Sequence, residues 1–294
     1  MFMRKDVSFA VLAIMLLFLT SCQTVKTHAS QTPKRLNELK QLYNEKLREA
    51  LGLRNPFNGW LVDKDCDAIL WTGKYGTTAC PSVQIGAAEF EPGRFGRRPS
   101  PRCYDEKTKT DNGAKSTWSR DMAMGLFAFT WKCGQISYLE RHRKYGVRNN
   151  WVMGKPFGDG RVLYSPQVIA MLHEIIFRLG GDNSPNRALP SVYPKGLTDY
   201  KAHLQVLNIW LRNELEGGIT QTMYDRLTEH RDREPHNPFY NYMVGIFNND
   251  QDETVRLLLD PAMPMSAYVR CKEMKKCKLA EWLFVANLIL EDYK

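Results

Sequence analysis

Strand signals are scarce in these 294 residues, and their scarcity excludes a sheet as the organising frame. No HExxH, P-loop, GxSxG or dinucleotide fingerprint occurs, so no cofactor is implied and cofactor-dependent chemistry has no support. The cysteines have no CxxC spacing, and no histidine lies two to four residues from one, which argues against a zinc site. The one long apolar run near the start, residues 7–20, is too short to be a good membrane span. A helical pair near residue 250 reads like a repeat unit, but it has no second copy.

What is present begins with an address. Arg4 and Lys5 precede the apolar run, which closes on Leu19-Thr20-Ser21-Cys22. This resembles a bacterial lipoprotein signal. The resemblance implies that residues 1–21 are removed, that Cys22 is acylated, and that the bilayer is a partner through that lipid. Gln23, rather than Asp, implies passage to the outer membrane, with the domain facing the periplasm. An uncleaved anchor helix and an ordinary secretory signal are the alternatives. Residues 22–33 read as a polar tether and 34–294 as one domain.

Six cysteines remain, Cys66, Cys80, Cys103, Cys133, Cys271 and Cys277, and an oxidising compartment would allow up to three disulfides. Only the local pair Cys271 and Cys277 can be singled out among fifteen connectivities. The formal charge is +9, of which the signal contributes +1. The excess suits anionic headgroups or acidic glycans, or simply a soluble surface, and a cell-envelope address makes nucleic acid an unsuitable partner.

Leucines at helical spacing over residues 35–53 predict an amphipathic first helix, and Asp67 onward a short second one. Residues 81–115 are broken by proline and glycine and carry Arg94, Arg97, Arg98 and Arg102, an anion-binding or merely solvated loop. The stretch 119–133 is apolar on nearly every side, which predicts a buried helix stopped at Gly134. Ser119 is its expected N-cap. Arg120 and Asp121 then fall in the first turn, where the dipole favours Asp and not Arg, so Arg120 needs another partner. Further helices are expected over 135–144, from Ser165-Pro166, from Thr198 or Asp199 to Leu215, over 220–233, from Asn237-Pro238, over 255–259 after an Asp250 and Glu253 capping box, and over 279–290. The fold class is therefore all-α, a single domain of helical hairpins with long disulfide-stapled loops, either a ring or an orthogonal bundle.

The helix pattern and the Trp118 to Asp121 stretch resemble the six-hairpin (α/α) toroid enzymes, glycoside hydrolases and polysaccharide lyases. That resemblance implies acidic and aromatic residues at the mouth of a helical ring. Asp121 is the first catalytic candidate; a structural Arg120–Asp121 pair is the alternative. A second carboxylate is required for glycoside hydrolysis. Asp182 and Asp159, both in loops, are the candidates, whereas Glu174 shares a face with Arg178 and reads as an ion pair. His203, between Tyr200 and Trp210 on one helix face, is a further catalytic candidate or a core histidine. Arg120, Arg97, Arg98, Trp118, Tyr200 and Trp151 are the expected substrate contacts, for an acidic or neutral glycan. No metal is expected. The competing reading is a non-catalytic envelope lipoprotein that presents a helical surface to a partner. A cleft joining Asp121, Arg97 and His203 would separate the two.

Overall fold

The computed structural model describes residues 32–53, 67–75, 80, 83–97, 99, 104–105, 110–111, 118–154, 160–181, 189, 193–260 and 279–293. The signal, Cys22 and the turn expected over 261–277 lie outside them, as do Cys66, Cys103, Cys271, Cys277, Arg98, Asp159 and Asp182.

The described chain is all-α. Ten helices follow in order: α1 Thr32–Leu53, α2 Ala68–Tyr75, α3 Arg120–Cys133, α4 Ile136–Arg148, α5 Pro166–Arg178, α6 Asp199–Glu216, α7 Gln221–Arg233, α8 Pro238–Asn248, α9 Asp252–Leu259 and α10 Leu279–Asp292. Between α2 and α3 lie a 3-10 turn, Ile85–Ala88, and two short antiparallel hairpins, β1 Glu89–Glu91 with β2 Arg94–Phe95 and β3 Tyr104–Asp105 with β4 Thr110–Asp111. Local chemistry sets several helix starts. Ser165 Oγ accepts from Val168 N, Thr220 Oγ1 from Met223 N, and Asn237 Oδ1 from Phe239 N and Tyr240 N. Gly134, at φ 64°, ends α3 in the left-handed conformation that glycine adopts without a Cβ penalty. No helix among the described residues is long and apolar enough to cross a membrane.

Helix contacts close a circuit, α2 to α3, α3 to α6, α6 to α8, α8 to α10, and α10 back to α2. Members of the circuit are buried on most sides. All eight residues of α2 are buried, as are Asp121 through Thr130 of α3 and Pro238 through Gly245 of α8. The helices packed outside are amphipathic, with α1 against α10 and α9, α4 against α3, and α7 against α8 and α6. Several circuit members run in the same direction. Asp121 meets Tyr200 where α3 and α6 start, and Lys132 meets Glu214 at 3.5 Å where they end. Tyr242 of α8 donates to Asp292 at the end of α10.

The closest approach is between α2 and α3. A Cβ on Gly125 would stand 2.4 Å from Leu70 Cα, and one on Gly73 only 1.8 Å from Gly125 O, so bare glycines allow the two backbones to touch. A disulfide between Cys80 and Cys133 ties the chain beyond α2 to the end of α3. It joins residues 53 positions apart, a pairing that spacing alone did not single out. In the chain-entropy description a loop of this length is worth about 4 kcal/mol.

Candidate functional site at the helix starts

The start of α3 is built differently from a simple cap. Ser119 occupies the N-cap position in extended backbone, yet its hydroxyl makes no bond to the helix N–H groups. Arg97 uses it instead, donating from Nη2 to Ser119 Oγ at 3.3 Å. The same guanidinium pairs through Nη1 with Asp67, and Arg97 O accepts from Ile69 N at 2.9 Å. Arg97 is only 5% exposed. It is a joint fastening the beginnings of α2 and α3, and an arginine so enclosed offers no open fork to a ligand.

Arg120 and Asp121 turn away from one another. The exposed Arg120 donates from Nε to Leu163 O at 3.1 Å, which supplies the partner its unfavourable first-turn position demands. Asp121 is buried and accepts from Met122 N at 3.1 Å and from Tyr200 Oη at 3.2 Å. The expected alternative, an ion pair between adjacent residues 120 and 121, is replaced by these two separate sets of bonds.

Tyr200 carries the site to α6. Its neighbour Asp199 has φ +49°, a left-handed conformation that aspartate tolerates better than most residues. Glu234, just before α8, senses the charges of Asp199 and Glu281. Burial first, and these two carboxylates after it, push Glu234 above the usual carboxylate range, although Asn237 Nδ2 donates to its Oε2 at 2.9 Å and opposes the shift. Tyr240 sits in the same field, its phenol driven upward by burial and then by Glu234, Glu281 and Asp199. Four starts therefore converge, those of α3, α6, α8 and α10, bringing Asp121, Asp199, Glu234 and Glu281 to one end of the circuit.

Glu281 is held by a cation. Its carboxylate lies 3.6 Å from Lys74 Nζ, and both side chains are essentially inaccessible. The ammonium also faces the rings of Trp71, Phe284 and Phe239 at 4.5, 4.9 and 5.2 Å. Sequence reasoning passed over both residues. The signal was the single charge, Lys74, in one apolar helix and a Glu, Glu281, set in the apolar part of another well before Glu291 and Asp292 at its end, since neither charge is buried without a partner.

Beside the start of α3 lies a fully satisfied polar chain. His142 Nδ1 donates to Gly93 O at 2.7 Å, which leaves Nε2 to accept from Tyr164 Oη at 2.7 Å. Tyr164 in turn accepts from Trp118 Nε1 at 2.9 Å. Burial lowers the His142 pKa to about 4, against the lesser opposing effects of the Gly93 bond and Glu89. The neutral ring packs edge-on to Phe95, Trp118 and Phe127.

The remaining expected contacts are distributed as follows. Trp118 is 1% exposed, a core residue whose ring face is not presented to solvent. Trp151 has φ +60°, unusual for a bulky residue, and its ring covers Gly146 and faces His173 at 6.0 Å. His203 is buried on α6. Glu174 accepts from Arg178 Nε at 2.6 Å, the ion pair its spacing suggested. Asp182 and Arg98 lie outside the described residues. Of the expected site residues, Asp121 and Tyr200 are thus brought together by a direct hydrogen bond. Neither the groove beside Arg141 and Arg148 nor the one beside Glu214 and Tyr242 is lined by Asp121, Arg97 or His203, and among the described residues no group of three His, Cys, Asp or Glu could hold a metal.

Comparison with models of known protein families, with curated proteins and with solved structures finds no match to this chain.

Proposed function

We propose that this chain is an envelope-anchored lipoprotein, held at the outer membrane by an acylated Cys22, whose helical domain binds or cleaves a glycan. The observation that carries the reading is the convergence of Asp121, Asp199, Glu234 and Glu281 at one end of a circuit of buried helices. The closed circuit, with amphipathic helices packed outside it, supports a toroid-like ring. In a cleavage step Glu234, biased toward its protonated form, gives its proton to the leaving glycosidic oxygen as the C–O bond breaks. Asp121 takes the proton of the attacking water while Tyr200 holds its carboxylate in place.

The test is glycan binding and reducing-end release by the full chain and by Asp121→Asn and Glu234→Gln. Loss of one such group costs about a hundredfold or more in rate. Folded variants that keep wild-type turnover and binding would refute the assignment. Mass analysis of the purified protein checks the anchor, which requires acyl mass on Cys22.

A second reading, a non-catalytic lipoprotein with a partner-binding surface, draws on a different observation. Arg97, Trp118 and Tyr164 are all buried and bonded inside the fold, as structural groups are. A wild-type chain that neither binds nor cleaves any glycan would favour it.

A further inference from the structure

The pole opposite the helix starts gathers exposed aromatic side chains. Phe177, Phe247 and Tyr293 are 47%, 39% and 49% exposed, at the ends of α5, α8 and α10. These helices end side by side. Arg178, next to Phe177, donates from Nη1 to Leu215 O in the last turn of α6 at 2.6 Å. A cavity of about 400 Å³ is lined in turn by Asn213 and Glu214 of α6, Gly245 and Ile246 of α8, and Asp292 and Tyr293. Phe247 is held in place, its ring stacked on that of Tyr224 with centroids 4.1 Å apart. Among the described residues the other exposed large apolar side chains are Val147 and Leu163, both aliphatic. Leu163 lies at the opposite pole, beside Arg120.

The chain that follows Cys22 enters the fold at this same pole. Tyr43 donates to Asn287 Oδ1 at 3.2 Å and Lys46 Nζ faces the Trp282 ring at 5.4 Å, so α1 runs antiparallel to α10. At 1.5 Å per residue α1 begins about 16 Å before Tyr43, whereas α10 ends about 7 Å after Asn287, which places Thr32 beyond the end of α10. Thr32 follows Cys22 by ten residues, which reach at most about 36 Å. The candidate site lies at the far end of α6, 18 residues or about 27 Å away. Turning that site to the bilayer would need the tether stretched over most of its reach.

Charge does not draw the aromatic pole to an anionic surface. Tyr293 stands in the field of Asp252, Asp250 and Asp292, while Lys132 and Arg178 face Glu214 at 3.5 Å and Glu174 at 2.6 Å. What this pole offers lipid is aromatic area, which favours the boundary between headgroups and acyl chains. We infer that Phe177, Phe247 and Tyr293 seat this pole in the headgroup layer of the bilayer that holds Cys22, by apolar contact, and turn the pole of Asp121 and Glu234 away from it. The inference rests on the lipoprotein reading above. It makes a polymer beyond the lipid surface, rather than a lipid-linked saccharide, the glycan that the site meets.

The experiment places the acylated full chain in phosphatidylcholine vesicles and measures energy transfer to headgroup-labelled lipid from a fluorophore at Asn248 or at Thr198. Both positions are exposed, one at each pole, and the Thr198 side chain makes no cap bond. Transfer from Asn248 should exceed that from Thr198 at least twofold. The difference should persist at roughly 0.5 M salt, where the Debye length is only about 4 Å. Phe177→Ser/Phe247→Ser/Tyr293→Ser should lower transfer from Asn248 at least twofold with unchanged circular dichroism, because all three side chains are exposed. Equal transfer from the two positions, or more from Thr198, overturns the inference and leaves the anchor standing, and this wild-type comparison holds whether or not the variant folds. Unchanged transfer in a folded triple variant, or loss of the difference in salt, also overturns the apolar contact. A chain without acyl mass that does not float with vesicles overturns the lipoprotein reading and this inference with it.

Discussion

Replacing Gly125 by Ala tests the helix crossing on which the circuit depends. The new Cβ would lie 2.4 Å from Leu70 Cα and 2.5 Å from Ile69 O. Carbon atoms in contact rest at about 3.5–4.0 Å, so α2 must retreat by roughly 1 Å. The atoms met are backbone and cannot swing aside. Overpacking of this kind costs about 1–3 kcal/mol, and rigid neighbours put it at the upper end. Alanine recovers roughly 1 kcal/mol through its better helix propensity. The net loss is about 2 kcal/mol. In a chain of this size that lowers Tm by about 4–8 °C, read by thermal unfolding in neutral detergent. Gly73→Ala should be worse, since its Cβ would approach Gly125 O to 1.8 Å. Gly134→Ala is the comparison: no atom lies within 4 Å of its Cβ, and the loss is only the left-handed backbone strain of about 1–2 kcal/mol. A Gly125→Ala protein that melts at or above the wild-type temperature, or a Gly134→Ala protein less stable than Gly73→Ala, would refute the close-contact argument.

Stability should also fall with acid through His142. Its folded pKa of about 4 lies below the unfolded value near 6.5, so from pH 6.5 down to 4 only the unfolded chain gains the proton. The loss approaches about 3 kcal/mol at pH 4, and urea titrations of wild type and His142→Gln should show this slope in the former and not the latter. Lys74→Met alone leaves the Glu281 carboxylate buried without its cation and should cost about 3–5 kcal/mol, whereas Lys74→Met/Glu281→Leu should recover most of that loss. Equal losses in the single and double variants would contradict a coupled pair. Removing the disulfide with Cys80→Ser/Cys133→Ser should cost about 2–4 kcal/mol by chemical denaturation, and added reductant should no longer change the variant's midpoint if Cys80–Cys133 is the bond that matters.

Helix positions were legible because their determinants lie within one turn of the chain. Ser165 before Pro166, Thr220, and Asn237 before Pro238 cap their helices through bonds to residues two or three positions on. Gly134 ends α3 for an equally local reason. Ser119 looks the same on paper, yet its hydroxyl serves Arg97, which arrives from the loop before it. A cap signal gives where a helix starts, while the side chain's partner depends on what the rest of the fold brings within reach.

The sequence by itself therefore determined the all-α class, most of the helix boundaries and the buried character of α3, because hydrophobic periodicity and capping act over three or four residues. Tertiary structure alone decided that Asp121 meets Tyr200, 79 positions away, rather than Arg120 beside it. It also chose Cys133 for Cys80, enclosed Arg97 and Trp118, and drew Glu234, Asp199, Glu281 and Lys74 together. Those outcomes follow from how each helix is rotated and which way it runs in the circuit. Charges far apart in sequence acquire their meaning only when packing sets that rotation, and the same holds for Phe177, Phe247 and Tyr293, which three helices bring to one pole.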